Sequence, residues 1–297
     1  MLYRHLVWIY DRAERTDEGY WGRSYLATGA LKDKTIFQLD QQCYPLLELA
    51  EYLDSESISP EKAHQWGATI DSILDVLLQR RASDKWVFQT NETPGDDPVS
   101  MQYHFSSNVL VWHALRKLVP HAETLGLRKP IKDWIDLIHR DTLEAFTATH
   151  NGEPIFAYLC DLQGNYQIYH DANDLPSVLA PEWSFCKAND PRWLNLFKFA
   201  FSTDNSRAFF PNGEYSGLGS VHTTDPWPLG DAQEMLFAHT LGDEKAVEEA
   251  RIKVLKKMQW DGVFAEANDA VTGQVTSKHW FSWPGSVIAA AFIEWHF

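Results

Sequence analysis

Apolar residues recur every three to four positions along most of this chain, the period of a helix with one buried face. The pattern predicts helices over 1–15, 36–53, 59–81, 106–126, 128–150, 190–202, 230–242, 243–260 and 284–297, about nine segments in all. Pro45 falls inside the second of these, where it implies a kink or a first-turn position. Ser59-Pro60-Glu61 opens the third with a capping serine and a proline at the first helical position. Ser106 or Ser107 is the expected cap of the fourth. Strand patterning is sparse. Residues 154–161 and 165–171 flank Leu162-Gln163-Gly164 and predict a hairpin.

The connections alternate in character. Every second one is long and rich in Gly, Pro, Trp and Asp, and the others are short. Helical hairpins arranged in a ring produce such alternation, with functional loops on one face. An irregular all-α domain is the competing reading. No linker or low-complexity stretch divides the sequence, so one domain is expected over 1–297.

Composition narrows the chemistry. The formal net charge of −15 opposes phosphate backbones and anionic membranes, so neither nucleic acid nor membrane is an expected partner. Cys43, Cys160 and Cys186 lack metal-ligand spacing, and an odd count argues against a disulfide framework. Buried thiols in a reducing compartment follow. No secretory pattern and no long apolar run occur, so the expected location is cytoplasmic. The sequon Asn91-Glu92-Thr93 is read as chance for the same reason.

The 13 Trp, 11 Tyr and 16 Phe do change the picture, because many lie in loops beside carboxylates. Flat apolar rings with a polar rim suit the C–H faces of sugars. In the loop "NETPGDDP", Asp96 and Asp97 adjoin Gly95 and Pro98. Two readings stand side by side there. The pair caps the following helix, or one carboxyl opposes the ionisation of the other and keeps it protonated as a general acid. In "GVFAEAND", Glu266 follows an apolar run, and Trp280, Phe281 and Trp283 come soon after. An acid from one loop and a base from another is the minimum for cleaving a glycosidic bond. No Gly-x-Ser-x-Gly, activated cysteine, phosphate-binding glycine loop or calcium loop is present, so no metal or cofactor is expected.

The segments "LDQQCYP" (39–45), "GDDPVSMQYHFSSN" (95–108), "DANDLPS" (171–177), "GLGSVHTTDPWP" (217–228), "FAEAND" (264–269) and "WFSW" (280–283) occur in an order that resembles glycoside hydrolase family 125. These are inverting, metal-independent exo-α-mannosidases with an (α/α)6 toroid, and glucoamylases are a more distant likeness. The resemblance implies Asp96 as general acid and Glu266 as general base. It implies substrate contacts from Asp97, Asp171, Asn173, His222 and Trp227, with Trp280 and Trp283 walling the base. The implied substrate is an oligosaccharide or glycoside, α-1,6-linked mannosides first. A glucoamylase-like α-glucosidase and a non-catalytic carbohydrate-binding toroid are the alternatives. The sequence departs from the family at His170, Asp174, Ala265 and Lys278-His279. The family's N-terminal third has no counterpart, which implies a truncated relative or a toroid that stays open or is completed by self-association or a partner chain.

Overall fold

The structure is a computed structural model that describes residues 2–294. The helices in chain order are α1 (Leu2–Asp11), α2 (Leu39–Ser55), α3 (Pro60–Arg80), α4 (Phe105–Leu118), α5 (Ile131–Ala145), α6 (Leu175–Val178), α7 (Pro191–Ala200), α8 (Pro228–Thr240), α9 (Glu244–Lys257) and α10 (Ser282–Glu294). Short strands interrupt them: β1 (Tyr103–His104), β2 (Thr147–His150), β3 (Glu153–Phe156), β4 (Leu159–Cys160), β5 (Tyr166–Gln167), β6 (Phe209–Phe210), β7 (Gly217–Leu218), β8 (Ala267–Asn268) and β9 (Val275–Ser277). The all-α expectation is therefore corrected to a helix-rich chain with small sheets. Among the described residues no helix is long and apolar enough to cross a membrane. The chain gathers into two compact units, one of residues 1–146 with 159–165, the other of 147–158 with 166–297.

The first unit is built on α4, which packs against α2 and α5. Its residues from Phe105 to Leu115 are all buried, as an apolar stretch without a polar face requires. The predicted serine cap is corrected. His104 caps α4, its Nδ1 accepting from Ser107 N at 3.4 Å, because the helix starts one residue earlier than the apolar period suggested. Ser59 caps α3 as expected, accepting from Lys62 N at 3.2 Å. Pro45 lies inside α2, and its carbonyl accepts from Tyr10 Oη at 2.9 Å, tying α1 to α2. In α3, Gly67 lets the Leu125 carbonyl approach to where a Cβ would lie only 1.9 Å from it.

In the second unit α8 packs against α7's aromatic face, α9 and α10. Trp193 and Phe197 of α7 stack around Phe237 at 4.9 and 5.2 Å between centroids. The predicted helix over 128–150 ends at Ala145. Its tail Thr147–His150 is instead β2, paired antiparallel with β3. The β-branched threonines at 147 and 149 fit a pleated surface better than a helical turn. The predicted hairpin forms over its inner residues, with Tyr158 N donating to Gln167 O and Asp161 N to Asn165 O across Leu162–Gly164, while Ile155 and Phe156 pair backward with Ala148 and Thr147.

Candidate active site

In the first unit the loop 91–98 is pinned to the entrance of α2. Asn91 N donates to Phe37 O at 2.9 Å, and Phe37 N donates to Asn91 Oδ1 at 3.1 Å. Within the loop Asp96 N donates to Thr93 O and Thr93 N to Asp97 O, a tight turn that leaves Asp96 at φ 62°. Asp and Asn tolerate that left-handed conformation better than most residues, but it remains a strained position for a side chain with a Cβ. The turn sits well ahead of α4, whose cap is His104, so the helix-capping reading of the carboxylate pair falls away.

Asp96 is exposed, and its Oδ1 accepts from Gln38 Nε2 at 2.6 Å. Arg23 Nη1 lies 3.7 Å from the same oxygen and 2.7 Å from Glu92 Oε2. Gln38 also donates to Glu92 Oε2 and to Thr93 O, at 3.2 Å each. Asp96 acts electrostatically on the carboxyls of Glu92 and Asp40. Burial raises Glu92 above the ordinary carboxyl range, Arg23 works against this, and Asp96 adds to it. Burial pushes Asp40 up to about 7, with Asp96 again adding to the effect. Gln38, Asp40 and Glu92 were missed, although they flank or lie within two of the quoted segments.

In the second unit four loops converge on a single network. Asp171 Oδ2 accepts from Tyr169 Oη at 3.2 Å and from Ser220 Oγ at 3.1 Å, and its Oδ1 accepts from Asn173 N at 2.8 Å. Ser220 Oγ contacts His222 Nδ1 at 2.9 Å. The His222 ring meets Trp227 edge to face at 5.3 Å, and Trp227 meets Phe281 at 6.0 Å. Lys278 Nζ lies 5.5 Å from the Phe281 centroid and 2.5 Å from Glu266 Oε1. Ser277 Oγ donates to Glu266 Oε2 at 2.5 Å. Asp171, Asn173 and Glu266 are buried, and His222 is exposed.

Backbone contacts hold these loops in place. Ala172 N donates to Gly219 O, Asn268 N to Pro226 O, and Phe281 N to Phe264 O. Gln233 of α8 donates to Asp171 O at 3.0 Å and Ala172 O at 2.8 Å, and contacts His170 Nε2 at 2.8 Å. The unexpected His170 is thus a buried anchor of the loop. Gly230 lets β7 lie against α8, where a Cβ would sit 2.1 Å from the Leu218 carbonyl. Trp227 is buried in a cluster with Ala172, Leu229 and Ala267, against which Phe281 and Trp283 pack. Trp280 lies outside that cluster and is 65% exposed. Tyr169, Ser220, Ser277 and Lys278 were not singled out as site residues. Ser220 lies within a quoted segment and the other three lie within three residues of one, which was the available signal.

Among the described residues no group of three His, Cys, Asp or Glu side chains could hold a metal ion. Burial raises all three thiols, Cys160 and Cys186 to about 12, away from the thiolate a nucleophile needs.

The family model described as metal-independent alpha-mannosidase (GH125) matches residues 87–293. The Meiotically up-regulated gene 157 protein of Schizosaccharomyces pombe is 24% identical over 209 residues, 68% of this chain and 40% of that protein. The chain thus spans less than half the length of that relative. A metal-independent α-mannosidase from Streptococcus pneumoniae, solved as a non-productive complex with alpha-1,6-mannobiose, superposes with a TM-score of 0.78 at 20% identity, covering 99% of this chain and 79% of that one. A bacterial glucoamylase complexed with acarbose gives 0.71 at 14% identity, covering 98% and 46%. Both solved neighbours are (α/α)6-toroid glycosidases, and at these identities the likeness carries the fold alone.

Proposed function

Because this chain belongs to the metal-independent α-mannosidase family GH125, we propose that it hydrolyses terminal α-mannosidic bonds with inversion, α-1,6 linkages first. The observation that carries this reading is Glu266. It is a buried carboxylate joined, through Lys278, Phe281, Trp227, His222 and Ser220, to the Asp171 loop. A buried base wired to hydroxyl-contacting groups suits one sugar ring. The α-1,6 preference draws on the mannobiose bound to the S. pneumoniae neighbour.

In this reading Asp96, protonated, donates to the glycosidic oxygen. Glu266, ionised, takes a proton from water on the opposite face of the anomeric carbon. Inversion asks for about 6.5–9.5 Å between the two carboxyls, room for that water. Asp171, Asn173 and His222 orient the terminal sugar, with Asp97 as a further hydroxyl contact. Trp227 and Trp283 back the base from the core, while the exposed Trp280 takes the outer edge of the wall. Positioning of this kind removes much of the entropic barrier.

The test is hydrolysis of α-1,6-mannobiose followed by NMR of the newly released anomer. The expected first product is β-mannose. Asp96→Asn and Glu266→Gln should each lower kcat about 10²- to 10⁴-fold with mannose binding retained. Retained turnover in either variant removes that residue from its role, and first release of α-mannose overturns inversion. Glucose rather than mannose from nitrophenyl α-glycosides would favour the α-glucosidase reading. Binding of mannose without any turnover would favour a non-catalytic lectin-like protein.

A further inference from the structure

Glu266 has both carboxylate oxygens occupied. Oε2 accepts from Ser277 Oγ and Oε1 pairs with Lys278 Nζ, each at 2.5 Å. The two donors differ physically. Ser277 is the last residue of β9, in register with Ala267 of β8, and its hydroxyl is short and neutral. Lys278 lies just beyond the strand with a side chain 62% exposed, while that of Glu266 is 3% exposed. One end of this ion pair is therefore fixed in the protein and the other reaches in from solvent.

The backbone holds the lysine in place at some cost. Lys278 has φ 39°, in the left-handed region that side chains with a Cβ rarely adopt. Such strain persists only where surrounding contacts over-determine it, and it clusters at functional sites. Here Glu266 N donates to both Ser277 O and Lys278 O, and Phe281 N donates to Phe264 O, so the strained turn is clamped on both sides. The ammonium also lies over the Phe281 ring, whose neighbours Trp227 and Trp283 belong to the same aromatic cluster.

We propose that Lys278 is a positioning residue for Glu266: its ammonium holds Oε1 in the empty site and yields it to the attacking water when a saccharide enters. The proposal rests on the reading of Glu266 as general base. Ser277 is the fixed donor that keeps the carboxylate aimed throughout. Lys278 is the movable donor, because a long exposed side chain can swing without disturbing the core. The other titratable groups of the network are Asp171, Tyr169 and His222 from the neighbouring loops, and His279 pairs with Asp261 at 3.0 Å.

The experiment compares Lys278→Met and Lys278→Arg with the parent chain by two readouts. The first is kcat and KM on α-1,6-mannobiose. Met should lower kcat roughly tenfold or more at little change in KM. Arg should restore most of kcat. The second readout needs no turnover: the ¹⁵N NMR signal of the Lys278 ammonium, assigned with Lys278→Met, should shift when mannose is added, as the ammonium leaves Glu266. Absence of hydrolysis by the parent chain would sink the enzymatic reading while the ammonium signal still tests the pair. An unchanged kcat in Lys278→Met, or an ammonium signal that mannose leaves unchanged, would overturn the proposal.

Discussion

Asp40 is fully buried on the first turn of α2, and burial lifts its carboxyl from 3.8 to about 7. Between those two pH values the folded state keeps a proton that the unfolded chain has released. The stability this group contributes is therefore complete below about pH 4 and is lost as pH rises towards 7. Ionising Asp40 in the fold costs on the order of 4 kcal/mol. Asp40→Asn, the neutral isostere, should be more stable than the parent at pH 8 and nearly equal to it at pH 4, read as melting temperatures across that range. Equal gains at both pH values would mean that the effect is packing and not ionisation. The same residue faces Asp96 electrostatically, so a buried acid with no evident role in the sequence emerges as a neighbour of the proposed proton donor.

At the level of elements, the packing of α8 on α9 contains a fully buried ion pair. Asp231, in the first turn of α8, lies 2.5 Å from Lys257 Nζ, the last residue of α9, and neither side chain is exposed. Burial raises the Asp231 carboxyl and lowers the Lys257 ammonium, both directions that favour neutral forms. Lys253 approaches Asp231 at 3.7 Å. A Cβ on Gly217 would lie 2.8 Å from Asp231 Oδ1, so the pair also underlies β7, whose continuation carries Ser220 and His222. Removing one partner strands the other. Asp231→Asn should cost about 3–5 kcal/mol, while the double change Asp231→Leu with Lys257→Met should recover most of it. Urea titration of the two variants measures the difference, and equal loss in both would assign the effect to shape and not charge.

For the molecule as a whole, the net charge of −15 places like charges over both units. Self-repulsion of this kind opposes the compact state and is screened within about 10 Å at 0.1 M salt. Melting temperature at pH 8 should therefore rise between 10 and 150 mM sodium chloride, by a few degrees at most, in scanning calorimetry. A fall would mean that screening of native ion pairs such as Lys62–Asp11 and Lys117–Asp54 outweighs the repulsion. Much was decided before folding. The helical period, the proline-first cap of α3 and the loop carboxylates Asp96 and Glu266 are properties of residue order. They fixed a helix-rich chain and the residue types its loops present, because periodicity and local chemistry act over a few residues. The sequence could not tell that residues 147–150 leave α5 to pair with β3, that His104 caps α4, or that the Asp96 turn is strained. Those depend on which strand or carbonyl is available nearby in space. Nor could it reveal the burial of Asp40, the pairing of Asp231 with Lys257, or the grip of Lys278 on Glu266. Charge interactions are set by distance and by exclusion of water, and both exist only once remote segments have been brought together.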